Sequence, residues 1–495
     1  MNNSEAASLV RLISRCTIKP YLHISEKTPK QQPQQQQICQ STPWDISLIS
    51  AQYIQFGLLF SKPPLSPALS SVGHDVGDQK VHPNTIIDQL KNSLSQTIAE
   101  FLPLTGRFVT NKHGNSPSYN ISINHTNNSS GGVEFIQAVA PAVTLNHILS
   151  PLYVPPIVRS FFASYDEGEM TTINYDGHTI PLLTVQITEL VDGYFIGCSI
   201  NHSVVDGTSF WHFFQMWAET CSKNENDVRL LSRPPIIKRW FLKEHQNEVV
   251  DDDNDIANVP LSSHPDELIR RYPPPPDLVE RIFHFSTKSM LQLKTRANNE
   301  CGTNKNISAF QALSALVWRS LARARCLDEE QETSCAVCVD DRWRVMPPLS
   351  SDSFGCYIGL VTGKMKTKEL LGHNLGSAAL VLHKVIADHT DEKIRRWFSD
   401  WKKEPKIVHL GPDSERSTAV IGSSPRFDIY SCDFGWGKPL AMRTGWTYKF
   451  SGNVWANPGR DGKGSVELEI CLSPKAMSAL ESDEEFMNAV SAHPV

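Results

Sequence analysis

Between Leu182 and Trp217 the spacing of apolar and polar positions changes period. In "LLTVQITELVDGYFIGCSINH" two alternating runs flank Asp192-Gly193, a pair favoured in tight hairpin turns, so a β-hairpin is expected. In its second run Ile196, Cys198, Ile200 and His202 share one face, which places His202 at the end of a strand on its apolar side. From Thr208 onward the pattern becomes helical and aromatic, with Phe210, Trp211, Phe213, Phe214 and Trp217.

The same reading organises the rest of the chain. "TPWDISLISAQYIQFGLLF" is apolar and belongs to a core. In "NTIIDQLKNSLSQTIAEF" Ile87, Leu90, Leu94 and Ile98 recur at helical spacing, and Pro103 and Gly106 then stop the helix before a strand. "HGNSPSYNISINHTNNSSGG" reads as a polar surface hairpin, and the Gln-rich stretch from Lys30 to Gln37 as a loop. "DDDND" and "YPPPP" between Asn226 and Pro276 cannot pack, which predicts a long crossover. Beyond it come a strand at "RIFHFS", a helix from Lys288 to Asn298, and "NISAFQALSALVWRSLARAR". There Ser308 and Gln311 form a capping-box pattern ahead of a stripe of Phe310, Leu313, Val317 and Leu321. The expected division is a first domain over 16–225, a linker over 226–278 and a second domain over 279–495, with no sequence repeat between the halves.

Composition narrows the function. The 495 residues are 20% charged with a net charge of −6, and no block is strongly basic, so nucleic acid is not an expected partner. No apolar run reaches the ~18 residues of a membrane span. "MNNSEAASLVRLISRC" lacks the features of a secretory signal, and a cytoplasmic location is expected. The 11 scattered cysteines fit reduced thiols. Cys335 and Cys338 form a C-x-x-C, but in an alternating run, where residues three apart face opposite ways; a strand is expected there and no metal.

His202 then has four readings. A histidine on an apolar strand face is commonly a satisfied core residue. A metal needs three or four ligands, and Asp206 alone, separated by a strand-to-helix change, does not supply them. A hydrolytic triad needs a nucleophile on a strained turn, and neither "GSVEL" nor "IGSSP" has that form. The fourth reading is a lone general base. Imidazole, with a pKa of about 6.5, takes the proton of an alcohol as it attacks an activated acyl group, typically worth roughly 10²–10⁴-fold in rate. Asp206 would then hold the loop, by pairing with an arginine and bonding to backbone N–H groups, rather than relay a proton.

A second landmark bears on this choice. "HSVVDG" at His202 and "DFGWG" at Asp433, Phe434, Gly435, Trp436 and Gly437 together resemble the plant BAHD acyltransferase family. "LPLTGR", "VDDRWRVMPPL", the Ser308 helix and "GSVELEICLSPKAMSALESDEEF" resemble further family segments in order, over roughly residues 16 to 490. The branch it most resembles holds uncharacterised acetyltransferases and the defective-in-cuticular-ridges protein. The resemblance implies an α/β protein of two chloramphenicol-acetyltransferase-like domains, each a mixed β-sheet flanked by helices, around a solvent channel. It implies His202 as base, Asp206 paired with Arg342 or Arg344, acyl-CoA as co-substrate with no permanently bound cofactor, a small-molecule acceptor and a monomer. It assigns DFGWG to shaping the CoA side, with Trp436 also near CoA. The helix N-terminus at Ser308, with Lys305, is the expected phosphate site. Ser423 and Ser424 are candidate donors to the reaction's oxyanion. "SFGC" at Ser353–Cys356 departs from the family's YFGN-type segment and loses a side-chain amide. The alternatives on the same scaffold are a CoA-independent lyase and a non-catalytic partner in fatty-acid elongation.

Overall fold

The computed structural model describes residues 9–21, 38–63, 85–112, 119–125, 131–165, 171–223, 231–240, 261, 264–273, 277–302, 306–409 and 417–492. The strands of the first half are β1 (Arg11–Ile18), β2 (Ile38–Gln40), β3 (Ile54–Ser61), β4 (Arg107–Lys112), β5 (Tyr119–Asn124), β6 (Val133–Val139), β7 (Leu183–Glu189) and β8 (Gly193–Ile200). Those of the second are β9 (Val279–Phe285), β10 (Glu332–Asp340), β11 (Ile358–Lys366), β12 (Thr418–Gly422), β13 (Ala441–Thr444), β14 (Asn453–Pro458) and β15 (Val466–Leu472). They build two six-stranded sheets, ordered β1-β6-β7-β8-β3-β13 and β11-β10-β12-β14-β15-β9, and a small sheet β2-β5-β4. Both large sheets are mixed: β6–β7, β10–β12 and β12–β14 are parallel and the other pairs antiparallel.

The Asp192-Gly193 turn joins β7 and β8 in the expected hairpin, with Leu183 opposite Ile200 and Glu189 opposite Tyr194. The helix Thr85–Ile98 buries Leu90, Leu94 and Ile98, and the aromatic helix Gly207–Ser222 packs against it. The Ser308 capping box forms as expected: the Ser308 side chain accepts from the Gln311 N–H, and the Gln311 side chain accepts from that of Ser308. Cys335 and Cys338 lie on β10. Among the described residues no helix is long and apolar enough to cross a membrane.

Three segments depart from the sequence reading. The stretch expected as a polar surface hairpin contributes β5, the central strand of the small sheet, because Ile121 and Ile123 face the core. The described part of the crossover is packed: buried Arg239 lies 3.6 Å from buried Asp45, and Trp240 sits 5.5 Å from the Trp44 ring and 5.1 Å from that of Phe398. The stretches Lys30–Gln37, Asp251–Asp255 and Pro274–Pro276 lie outside the described residues. Most consequential is β13. It follows β12 of the second sheet in sequence yet pairs antiparallel with β3 of the first, Ala441 opposite Leu59 and Thr444 opposite Phe56. It covers the edge of β3, which would otherwise present unpaired N–H and C=O groups.

The segment after β13 is fixed by a buried charge. Lys449 Nζ reaches Glu280 on β9 at 2.7 Å and Glu469 on β15 at 2.5 Å. Burial would lower the lysine's pKa, but the two carboxylates outweigh it and raise it. Replacing Lys449 by Met removes the cation shared by Glu280 and Glu469 and leaves Glu280 with Arg159 at 3.4 Å. The expected loss is about 3–5 kcal/mol of unfolding free energy, read by urea denaturation; a loss under about 1 kcal/mol would contradict this account of the cluster.

Candidate active site

β8 ends at Ile200, two residues before His202. The strand stops because Asn201 engages its own surroundings. Its Nδ2 donates to the Asn174 carbonyl (2.7 Å), its Oδ1 accepts from the Ser203 N–H (3.0 Å), and the Val204 and Val205 N–H groups fold back onto its carbonyl. Asn174 Oδ1 in turn accepts from the His202 N–H at 2.8 Å. His202 is therefore in a turn, not on the strand. That turn brings the Val205 carbonyl 2.9 Å from His202 Nδ1. A carbonyl only accepts, so Nδ1 carries the hydrogen and, in the neutral ring, Nε2 carries the lone pair. Burial pushes the imidazole below its ordinary 6.5, outweighing the Val205 carbonyl and Asp206, which act the other way. The ring is accordingly neutral at pH 7.

Asp206 follows as the N-cap of Gly207–Ser222, its Oδ1 accepting from the Ser209 N–H at 2.9 Å. Arg342 binds both its oxygens, Nη1 to Oδ2 at 2.7 Å and Nη2 to Oδ1 at 3.1 Å, and the Tyr357 N–H adds a 2.9 Å bond to Oδ2. Both side chains are 0% exposed. Burial alone would raise the Asp206 pKa; Arg342 and the N–H donors outweigh it and hold the carboxyl below its ordinary 3.8. Arg342 is saturated further by the carbonyls of Ser353 and Gly355, the Ser209 hydroxyl and Asp340. Of the two arginine candidates, then, Arg342 is the partner. Arg344 lies beyond the short turn Asp341–Trp343 and donates instead to the carbonyls of Ile386 (2.9 Å) and His389 (2.7 Å). In "SFGC" the polar work is done by backbone: the Gly355 carbonyl accepts from the Asp206 N–H, the Ser209 hydroxyl and Arg342, while Cys356 is buried.

His202 lines a cavity of about 920 Å³, with Phe56 from β3 and Val337, Ser423, Asn453 and Trp455 from the second half. The cavity thus lies between the two sheets, and its walls are largely apolar. Tyr448 stands edge-on to the His202 ring, centroids 5.7 Å apart. Ser308, Ser423, Ser424 and Arg344 also line the cavity. Lys305 lies outside the described residues.

The DFGWG segment does not line this cavity. It is a tight turn: Asp433 Oδ1 accepts from the N–H groups of Gly435 (2.8 Å) and Gly437 (2.9 Å). Both glycines have positive φ, +99° and +116°, which a side chain would strain. Phe434 packs on Trp217 at 5.0 Å, and Trp436 lies 6.4 Å from Phe60 and 6.3 Å from Tyr194. Trp436 therefore belongs to the aromatic packing of the first sheet, where it does not meet His202.

Comparison with known proteins now bears on this geometry. A family model described as the Transferase family matches residues 76–487. The chain belongs to the plant BAHD acyltransferase family. The "BAHD acyltransferase DCR" of Arabidopsis thaliana is 31% identical over 412 residues, covering 82% of this chain and 81% of that protein. Solved structures share the two-sheet fold. Vinorine synthase superposes with a TM-score of 0.67 at 20% identity, over 98% of this chain and 99% of that one. TRI101 of F. sporotrichioides, complexed with coenzyme A and T-2, gives 0.66 at 18% identity, over 92% and 99%. In this BAHD chain the cavity-lining residues that sequence reading missed include Tyr448 and Phe427, because no local pattern marks a side chain that only tertiary packing brings to a cavity.

Two expectations follow from the site. Asp206→Asn keeps the cap but leaves Arg342 undercompensated, and should cost about 3–5 kcal/mol at neutral pH. A depressed folded-state pKa stabilises above the unfolded value and ceases to do so as pH falls through the folded one, so the gap to wild type should close below pH 3.8. Urea unfolding across pH reads this, and a pH-independent gap would contradict it. At Gly207 alanine would favour the helix by up to ~1 kcal/mol. However, its Cβ would stand 2.9 Å from Phe427 Cζ. Gly207→Ala should therefore lose stability in wild type and gain it in a Phe427→Ala background, as a double-mutant cycle would show.

Proposed function

We propose that the chain transfers an acyl group from acyl-CoA to a hydroxyl of a small-molecule acceptor, with His202 as general base and no covalent enzyme intermediate. The observation that carries this reading is the Nδ1–H bond to Val205, which leaves the Nε2 lone pair without a partner among the described residues on a ring that lines the cavity. TRI101, which shares the fold, was solved with coenzyme A, which supports acyl-CoA as co-substrate. The acceptor oxygen attacks the thioester carbonyl carbon while its proton passes to Nε2. The tetrahedral oxyanion then collapses, the C–S bond breaks, and the departing sulfur takes the proton back from the imidazolium. Asp206 touches neither reactant; its role is to hold, with Arg342, the turn that carries the base. Of the serine pair, Ser424 is the oxyanion donor in this reading. The Ser423 hydroxyl is committed to Asn457 Oδ1 at 2.8 Å, whereas the Ser424 oxygen accepts from the Arg426 N–H and its own hydrogen has no acceptor among the described residues.

His202→Ala should lower kcat by roughly 10²–10⁴-fold while a panel of acyl-CoAs still raises the variant's Tm. In the wild type kcat/KM should fall as pH drops through a pKa below 6.5 and stay level above it, because the base must be unprotonated. Near-normal turnover in the variant would remove His202 from the mechanism. No thermal response to any acyl-CoA in folded wild-type protein would favour the lyase or the non-catalytic alternative.

A further inference from the structure

A second imidazole, remote in sequence from His202, lines the same cavity. His389 occupies the link between the helices Leu375–Ala387 and Asp391–Lys403. Three positions, Asp341, Arg344 and Gly359, fix the residue. Nε2 lies 2.8 Å from Asp341 Oδ1, and a carboxylate only accepts, so Nε2 carries a hydrogen. That carboxylate is itself anchored, since Oδ2 takes the Trp44 indole N–H at 3.0 Å. The His389 carbonyl is held by Arg344 Nη1 at 2.7 Å. Gly359 supplies the space: a Cβ there would stand 2.5 Å from Nε2 and 3.0 Å from Asp341 Oδ1. Nδ1 has no hydrogen bond to any described residue, and the imidazole retains 19% of its exposure.

Beside Asp341 and Arg344, the neighbouring cavity wall carries the apolar side chains of Trp44, Leu360, Ile386, Ile394 and Trp397. On such a surface a few fixed polar atoms decide how a ligand lies, and the imidazole Nδ1 is one of them. Building on the acyltransferase reading above, we propose that His389 is a specificity-determining residue that hydrogen-bonds a hydroxyl carried on the apolar body of a substrate, away from the reacting atoms. Asp341, Arg344 and Gly359 are its positioning residues. A hydroxyl suits either protonation state of the ring. It donates to the Nδ1 lone pair of the neutral imidazole and accepts from the Nδ1–H of the imidazolium. A methoxy group can only accept, and a hydrogen does neither. A merely structural tie between Asp341 and the helix link would affect stability but would not distinguish these three substituents.

The test uses calorimetric Kd values, which need no turnover. The probes are benzoyl- and cinnamoyl-CoA and the matching benzyl and cinnamyl alcohols, each with a 4-hydrogen, 4-hydroxyl or 4-methoxy group. Wild-type protein should bind the hydroxyl member of one series about 3- to 10-fold more tightly than its two analogues; the series that responds identifies which substrate carries the hydroxyl. His389→Phe should bring the ratio to one. Gly359→Ala, which displaces the ring while retaining it, should do the same, and His389→Gln should keep part of it. Thermal melts establish that each variant is folded. Absence of a hydroxyl preference in every wild-type series would overturn the proposal, as would a preference that survives both His389→Phe and Gly359→Ala. The outcome is independent of catalysis. A hydroxyl preference without acyl transfer would sink only the transferase reading, and transfer without the preference would sink only this one.

Discussion

The ion pair between Asp206 and Arg342 is the constraint around which the molecule is arranged. The two residues are 136 positions apart and lie in different halves of the chain, yet both side chains are fully removed from solvent. Neither charge is tolerable there alone, because an unpaired buried ion costs several kcal/mol. Arg342 has Asp340 beside it in its own half, whereas Asp206 meets its arginine only across the halves, so the carboxylate is satisfied when the halves dock. Asp206 also caps the helix that follows the His202 turn, so docking the halves and orienting the base are one event. The strand Ala441–Thr444, crossing from the second half to the first, ties the sheets together a second time.

The short run from Asp340 to Arg344 links both histidines of the cavity. Asp340 accepts from Thr208 at the start of the helix after His202, Arg342 holds Asp206, and Asp341 and Arg344 hold the ring and backbone of His389. In this turn Asp341 and Arg344, three positions apart, meet His389, while Asp340 and Arg342 meet the helix after His202. A single turn can thereby set the geometry at two places along an apolar cavity, which a longer loop would hold less firmly.

What was legible in the sequence was what local chemistry dictates. The hairpin at Asp192-Gly193 and the cap at Ser308 are short-range interactions written in adjacent residues, and both form as read. His202 was legible as a candidate, but its setting was not. Period-two alternation continues on paper to residue 202, whereas Asn174, 28 residues away, ends the strand by engaging Asn201 and the His202 N–H. The choice between Arg342 and Arg344 depends on which side of a turn each faces, and a linear string does not contain that. Trp436 illustrates the converse. Its motif is conspicuous because two glycines at positive φ and an Asp-closed turn need those residues, not because the indole reaches the His202 cavity. His389 carries no motif at all, since the turn with Asp341 and Arg344 and the strand with Gly359 converge on it from elsewhere in the chain.

The central claim is that His202 is a neutral imidazole with its hydrogen on Nδ1 and a free Nε2. Nitrogen NMR of histidine-labelled protein at pH 7, with His202 assigned by difference from a His202→Gln variant, observes this directly. The account predicts a protonated Nδ1 and an unprotonated Nε2. A hydrogen on Nε2, or a ring doubly protonated at pH 7, would contradict it.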